Sequence, residues 1–162
     1  MKFSILRLLA LAFVASAFLA ASQCVLAQCS NATLRGHYAF TITGQILAPP
    51  PAAGLITGVA MTEFDGKGNF TQVDHAVHNG VPPQEDWRPG SGPYHVNPDC
   101  TGTMTITQHP TIPADASPEI ELYIVVGDNG NEIRTVVSSS PTVPPFAAAI
   151  TSIGTKVYAF TW

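Results

Sequence analysis

Ionisable and nucleophilic side chains are scarce in this chain, so each can be weighed in turn. Asp74, His75 and His78 fall within Asn69–Asn79, a run rich in Thr, Val and Phe that reads as a strand. Successive side chains on a strand alternate between its two faces. Asp74 and His78 therefore share a face with Phe70 and Gln72, while His75 lies opposite with Thr71, Val73 and Val77. If the Phe70 face is interior, Asp74 and His78 point into the domain and could act as a general acid/base pair. If it is exterior, both are solvated surface. Phe64 and Phe70, flanking the adjacent turn, favour the interior placement; the valines opposite argue against it. Arg134 lies on a later run, Glu132–Ser139, where an inward guanidinium could hold a ligand carboxylate or pair with Glu132. Trp87 sits in a Pro-rich stretch beside Glu85, Asp86 and Arg88. It would be a lid over a cavity mouth or an anchor packed on the rim; the anchor is favoured, because large aromatics in ordered loops usually bury themselves. Asp74, His78, Arg134 and Trp87 are thus the candidate ligand-binding residues. No nucleophile and base form a recognisable catalytic motif.

The five histidines, His37, His75, His78, His95 and His109, lack the spacing of a helical zinc motif. A site assembled from three of them across strands is the only metal arrangement open to them, and neither a metal nor a cofactor is expected. Glu119 and Glu121 share the face opposite an Ile/Leu stripe and read as surface. Asn31-Ala-Thr33 and Asn69-Phe-Thr71 fit the glycosylation acceptor pattern.

The context of these residues is set by the N-terminus and the cysteines. Lys2 and Arg7 precede an apolar core, Leu8–Ala20, shorter than the roughly 18 to 20 residues that span a bilayer. Val25 and Ala27 then stand at cleavage spacing before Gln28, with Ala21 the alternative cut. Residues 1–27 are expected to be a signal peptide and residues 28–162 a single exported domain. Cleavage discards Cys24 and leaves Cys29 and Cys100, which should pair as a disulfide in an oxidising compartment. The net charge is −4 with no basic stripe, which argues against nucleic acid.

No helix-period segment follows the leader. Eight strands are expected: Leu34–Gly44, Gly54–Phe64, Asn69–Asn79, Gly92–Asn97, Gly102–His109, Glu119–Gly127, Glu132–Ser139 and Ala148–Trp162. Asp65-Gly66-Lys67-Gly68, Asn97–Gly102 and Gly127-Asp128-Asn129-Gly130 read as hairpin turns. The Pro-rich stretches Ala48–Ala53, Val81–Pro93 and Pro141–Pro145 read as rim loops. Consecutive hairpins make an antiparallel meander, and a last strand closing on the first would remove its exposed edges. The expected fold is all-β, an eight-stranded antiparallel up-and-down barrel, with a β-sandwich as the alternative. Tyr158, Phe160 and Trp162 alternate as at the end of an outer-membrane barrel, but the strands show no apolar outer faces between aromatic girdles, and stable insertion of the mature domain is not expected.

Three motifs, Cys29-Ser-Asn-Ala-Thr-Leu-x-Gly-x-Tyr38-x-Phe40, Phe64-Asp-Gly-x-Gly-Asn-Phe70 and Tyr94-x-Val-Asn-Pro-Asp-Cys100-Thr-Gly-Thr103, resemble those of a family of secreted, chiefly bacterial proteins without an assigned function. More distantly they are similar to allene-oxide-cyclase-like and lipocalin-like barrels. The resemblance spans most of residues 29–139 and implies a barrel with an apolar cavity; it carries over no catalytic residue. Three functional classes follow. One is a secreted module binding a small apolar ligand. The second is a cofactor-free cyclase or isomerase acting on a hydrophobic substrate. The third is a structural or surface-interaction protein with a filled core.

Overall fold

The computed structural model describes residues 28–47, 50–139 and 147–158. The expected signal peptide, the Pro141–Pro145 loop and the last residues of the expected final strand lie outside them. The described chain forms a closed barrel of eight antiparallel strands in sequential order. They are β1 Arg35–Ile46, β2 Gly54–Asp65, β3 Asn69–His78, β4 Arg88–Val96, β5 Thr101–Gln108, β6 Ile120–Gly127, β7 Glu132–Ser139 and β8 Ala148–Lys156. β8 pairs with β1 from Tyr38↔Lys156 to Ile46↔Ala148, so closure leaves no free edge and the sandwich is excluded.

Alternation fixes which residues face inward. In β1, Tyr38 and Phe40 are buried and Ile42 half-buried, whereas His37, Thr41 and Thr43 are exposed. In β6, Leu122, Ile124 and Val126 are buried between exposed neighbours. The outer wall is more apolar than the sequence pattern suggested: Val59, Met61, Tyr123, Val125, Val136 and Ile153 are exposed, interspersed with threonines.

One expectation needs correction. Arg88–Pro93 is not loop but the first part of β4, pairing with β3 from Asp74↔Arg88 to Asn69↔Pro93. Pro89 and Pro93 cannot donate to a ladder, yet strand positions that need no donor tolerate proline. Pro89 instead accepts, its carbonyl taking the His109 N–H at 2.7 Å.

The two ends of the barrel differ. At the end where β1 starts, the segment before it crosses the opening and Leu34 is fully buried. The Tyr94 hydroxyl donates to the carbonyls of Asn31 and Leu34 at 2.9 and 3.0 Å, and Asn31 Oδ1 accepts from Val96 N at 2.8 Å. Tyr38 donates to the Gly130 carbonyl. Phe64 meets the Tyr38 and Tyr94 rings edge-on, with centroids 5.3 and 5.0 Å apart. A disulfide between Cys29 and Cys100, with Cα atoms 5.0 Å apart, pins this plug to the β4–β5 turn. The backbone carbonyl and Oδ1 of Asn31 are thus engaged in holding the plug.

The turns at this end are tied by carboxylates. Asp65 Oδ1 accepts from the backbone N–H groups of Lys67, Gly68 and Asn69 at 2.6, 3.0 and 3.0 Å. These hydrogen bonds, that of Asn69 foremost, pull its pKa down to about 2.

Candidate functional site

The other end is hollow. Beyond the aromatic plug the barrel encloses a cavity of about 580 Å³, open between the β1–β2 and β5–β6 loops. One side of its lining is apolar: Phe40 and Ile42 from β1, Leu122 from β6, Val137 from β7 and Ile150 from β8. The polar groups concentrate on the opposite side. Thr62, Gln72, Asp74, Arg88 and Gln108 come from four consecutive strands, β2 to β5. This division follows from pairing, since Thr62↔Gln72, Asp74↔Arg88 and Gly90↔Gln108 set these positions side by side.

Asp74 is the centre of this polar strip. Its side chain is almost wholly buried, and Arg88 Nε donates to Oδ1 at 2.8 Å. Gln108 Nε2 donates to Oδ2 at 2.7 Å, and Gln108 Oε1 in turn accepts from Ser117 Oγ at 2.5 Å. Burial pushes the Asp74 pKa up; the charge and hydrogen bond of Arg88, then the hydrogen bond of Gln108, pull it back. A second layer fixes Arg88. Its Nη1 reaches the Asp115 carbonyl at 3.4 Å, while the Asp115 carboxylate accepts from Gln84 N and Glu85 N at 3.1 and 2.7 Å. The Glu85 carboxylate in turn accepts from the backbone N–H and the hydroxyl of Thr111 at 2.8 and 3.0 Å. The β3–β4 and β5–β6 loops are thereby latched together at the cavity mouth, outside the Asp74–Arg88 pair.

The candidates from the sequence divide. The Phe70 face of β3 is interior, so Asp74 and His78 both line the cavity. Four residues along a strand separate them by about 13 Å, however, too far to act together on one atom. Asp74 is already engaged through both oxygens, and His78 Nε2 is buried without a hydrogen-bond partner. Arg134 does not reach the cavity. It projects outward between inward-facing Ile133 and Thr135, and its Nε donates to Glu132 Oε1 at 2.7 Å in an exposed pair. Trp87 also lies outside, half-exposed at 53% and set edge-on to His75 at 6.2 Å, whose Nδ1 is 2.7 Å from the Asp86 carbonyl. Trp87, just before β4, is exposed, whereas Arg88, the first residue of β4, lines the cavity, so the cavity residue in this stretch is Arg88. Neither Arg88 nor Gln108 was a candidate from the sequence. The available signal was that an inward Asp74 requires a cation, and the chain has only seven Lys and Arg from which to draw it.

Among the described residues no three His, Cys, Asp or Glu side chains lie close enough to hold a metal ion. No protein-family model, no curated protein and no solved structure matches this chain. The fold and the site define it as a closed eight-stranded antiparallel barrel, plugged at one end and hollow at the other, with a disulfide consistent with an oxidising compartment.

Proposed function

We propose that this protein is an exported carrier or receptor module that holds one small, mainly apolar ligand in the hollow half of the barrel. The observation that carries this reading is the 580 Å³ cavity, apolar on most of its wall with a few convergent polar groups. Ligand pockets typically have about 300 to 1,000 Å³ and the same balance of apolar lining to polar anchors. Export is supported by the leader-like N-terminus, with Val25 and Ala27 at cleavage spacing, and by the Cys29–Cys100 disulfide.

A cyclase or isomerase acting on a hydrophobic substrate is the second reading, favoured by one observation: an ionisable group, Asp74, in the wall of an apolar cavity. Binding is preferred because both Asp74 oxygens are already engaged by Arg88 and Gln108, and His78, about 13 Å away along β3, is too far to act with Asp74 on one atom. A filled structural barrel fits poorly with the open volume.

The test is titration of the mature domain with an environment-sensitive apolar fluorophore. The reading expects one saturable site and a rise in melting temperature, since a ligand bound to the native state stabilises it by mass action. Absence of saturable binding across a panel of apolar probes would sink it.

A further inference from the structure

We infer that the cavity selects ligands with an uncharged polar group, an alcohol or ketone on an apolar body, over carboxylates or amines on the same body. This rests on the binding reading above and concerns which ligand the cavity takes. Besides the His78 imidazole, about 13 Å further along β3, the cavity wall carries one anion and one cation, Asp74 and Arg88, in contact at 2.8 Å and both largely buried. A ligand carboxylate entering here meets the two charges at similar range, so attraction to Arg88 and repulsion from Asp74 largely cancel. Its lost hydration is then not replaced, which is the main cost of placing an ion in an apolar site. An ammonium group meets the same cancellation with the signs reversed. A neutral hydroxyl or carbonyl loses far less hydration and needs only a donor or acceptor. The wall supplies these: Gln72 in the strip, whose Oε1 has only a long contact of 3.5 Å from Thr62, and the hydroxyl pair of Thr135 and Ser152 across the cavity.

The same geometry predicts how the preference reverses. In Asp74→Asn the anion is gone and Arg88 keeps its charge. The new amide can still accept from Arg88 Nε. Gln108 can turn its amide over, so that its oxygen accepts from Asn at position 74 and its nitrogen donates to Ser117. The wall then carries one unbalanced cation, which an anionic ligand would neutralise.

The experiment is displacement of a bound apolar fluorophore from the mature protein at neutral pH. The competitors are three molecules with one alkyl chain and an alcohol, carboxylate or ammonium end. The wild type should bind the alcohol at least about tenfold more tightly than either ion, and Asp74→Asn should bind the carboxylate at least about tenfold more tightly than the wild type does. Arg88→Gln, which removes the cation, should gain no carboxylate binding. The wild-type series stands alone should either variant fail to fold. Equal affinity for alcohol and carboxylate in the wild type would overturn the selectivity while leaving the pocket intact. If no fluorophore binds at all, the pocket reading falls and takes the selectivity with it.

Discussion

Replacing Arg88 by methionine is the most informative single change to the barrel. The substitution keeps much of the apolar stem and removes the guanidinium, so Asp74 stays buried with only Gln108 to satisfy it. Breaking a buried ion pair by deleting one partner costs about 3 to 5 kcal/mol, chiefly because the remaining charge is stranded. Both side chains here are nearly inaccessible, 12% exposed for Arg88 and 6% for Asp74, so solvent screening offers little relief and about 4 kcal/mol is expected. With an m value of about 2 kcal/mol/M, that is a fall of about 2 M in the urea midpoint. The pH dependence separates this cause from lost packing. Asp74 has a folded-state pKa raised above its ordinary value, so its folded form binds a proton more tightly than the unfolded chain does. Its protonation therefore favours folding as pH falls through the raised value towards 3.8. Without Arg88 that pKa rises further, because the largest opposing influence is gone. The deficit of Arg88→Met should shrink as pH falls from neutral towards 3.8, and Asp65 and Asp99, common to both proteins, cancel in the difference. The companion double variant Asp74→Leu/Arg88→Met should recover most of the loss, as apolar replacement of a buried pair often does. A loss below about 1 kcal/mol, or one independent of pH, would refute the assignment of Asp74 and Arg88 as a buried pair.

Removing the disulfide with Cys29→Ala/Cys100→Ala should cost about 2 to 5 kcal/mol, and alkylation without reductant should leave the mass of the unfolded wild type unchanged. Addition of two alkyl groups would exclude the bond. Asp65 should titrate near pH 2 by carboxyl NMR; its depressed pKa contributes stability above the ordinary value of 3.8 that is lost as pH falls towards 2, and Asp65→Asn should flatten that acid limb. A value near 3.8 would contradict the turn geometry. Arg134→Ala and Trp87→Ala should leave probe affinity within about twofold of wild type, like Glu119→Gln, because none of the three lines the cavity; a tenfold loss at Arg134 would mean that the outer wall takes part. Sequencing of exported material should begin at Gln28, and a start at Met1 would overturn the leader assignment.

Much of the architecture was legible because period-two patterning and turn chemistry are local. Tyr38, Phe40 and Ile42 mark the inner face of β1, and Asp65-Gly66-Lys67-Gly68 marks the turn between β2 and β3. The disulfide followed from counting the cysteines that the expected cleavage would leave. Two things were not local. Prolines at 89 and 93 made the start of β4 read as loop and hid Arg88, whose role comes from pairing across to Asp74. Arg134 was misplaced although the parity was available: Ile133 and Val137 share a face, so Arg134 had to take the other. Hollowness itself could not be read, because it depends on how the aromatic plug of Tyr38, Phe64, Phe70 and Tyr94 gathers at one end and leaves smaller side chains at the other.

The central claim, that an apolar molecule occupies the hollow half of the barrel, is tested most directly by methyl NMR during titration with an apolar ligand. Saturable shifts should appear at Ile42, Ile106, Leu122, Val137 and Ile150, which line the cavity, while Ile133 and Val126 keep their positions. Shifts confined to the outer-wall methyls of Val59, Val125 and Ile153, or no saturable shift anywhere, would contradict it.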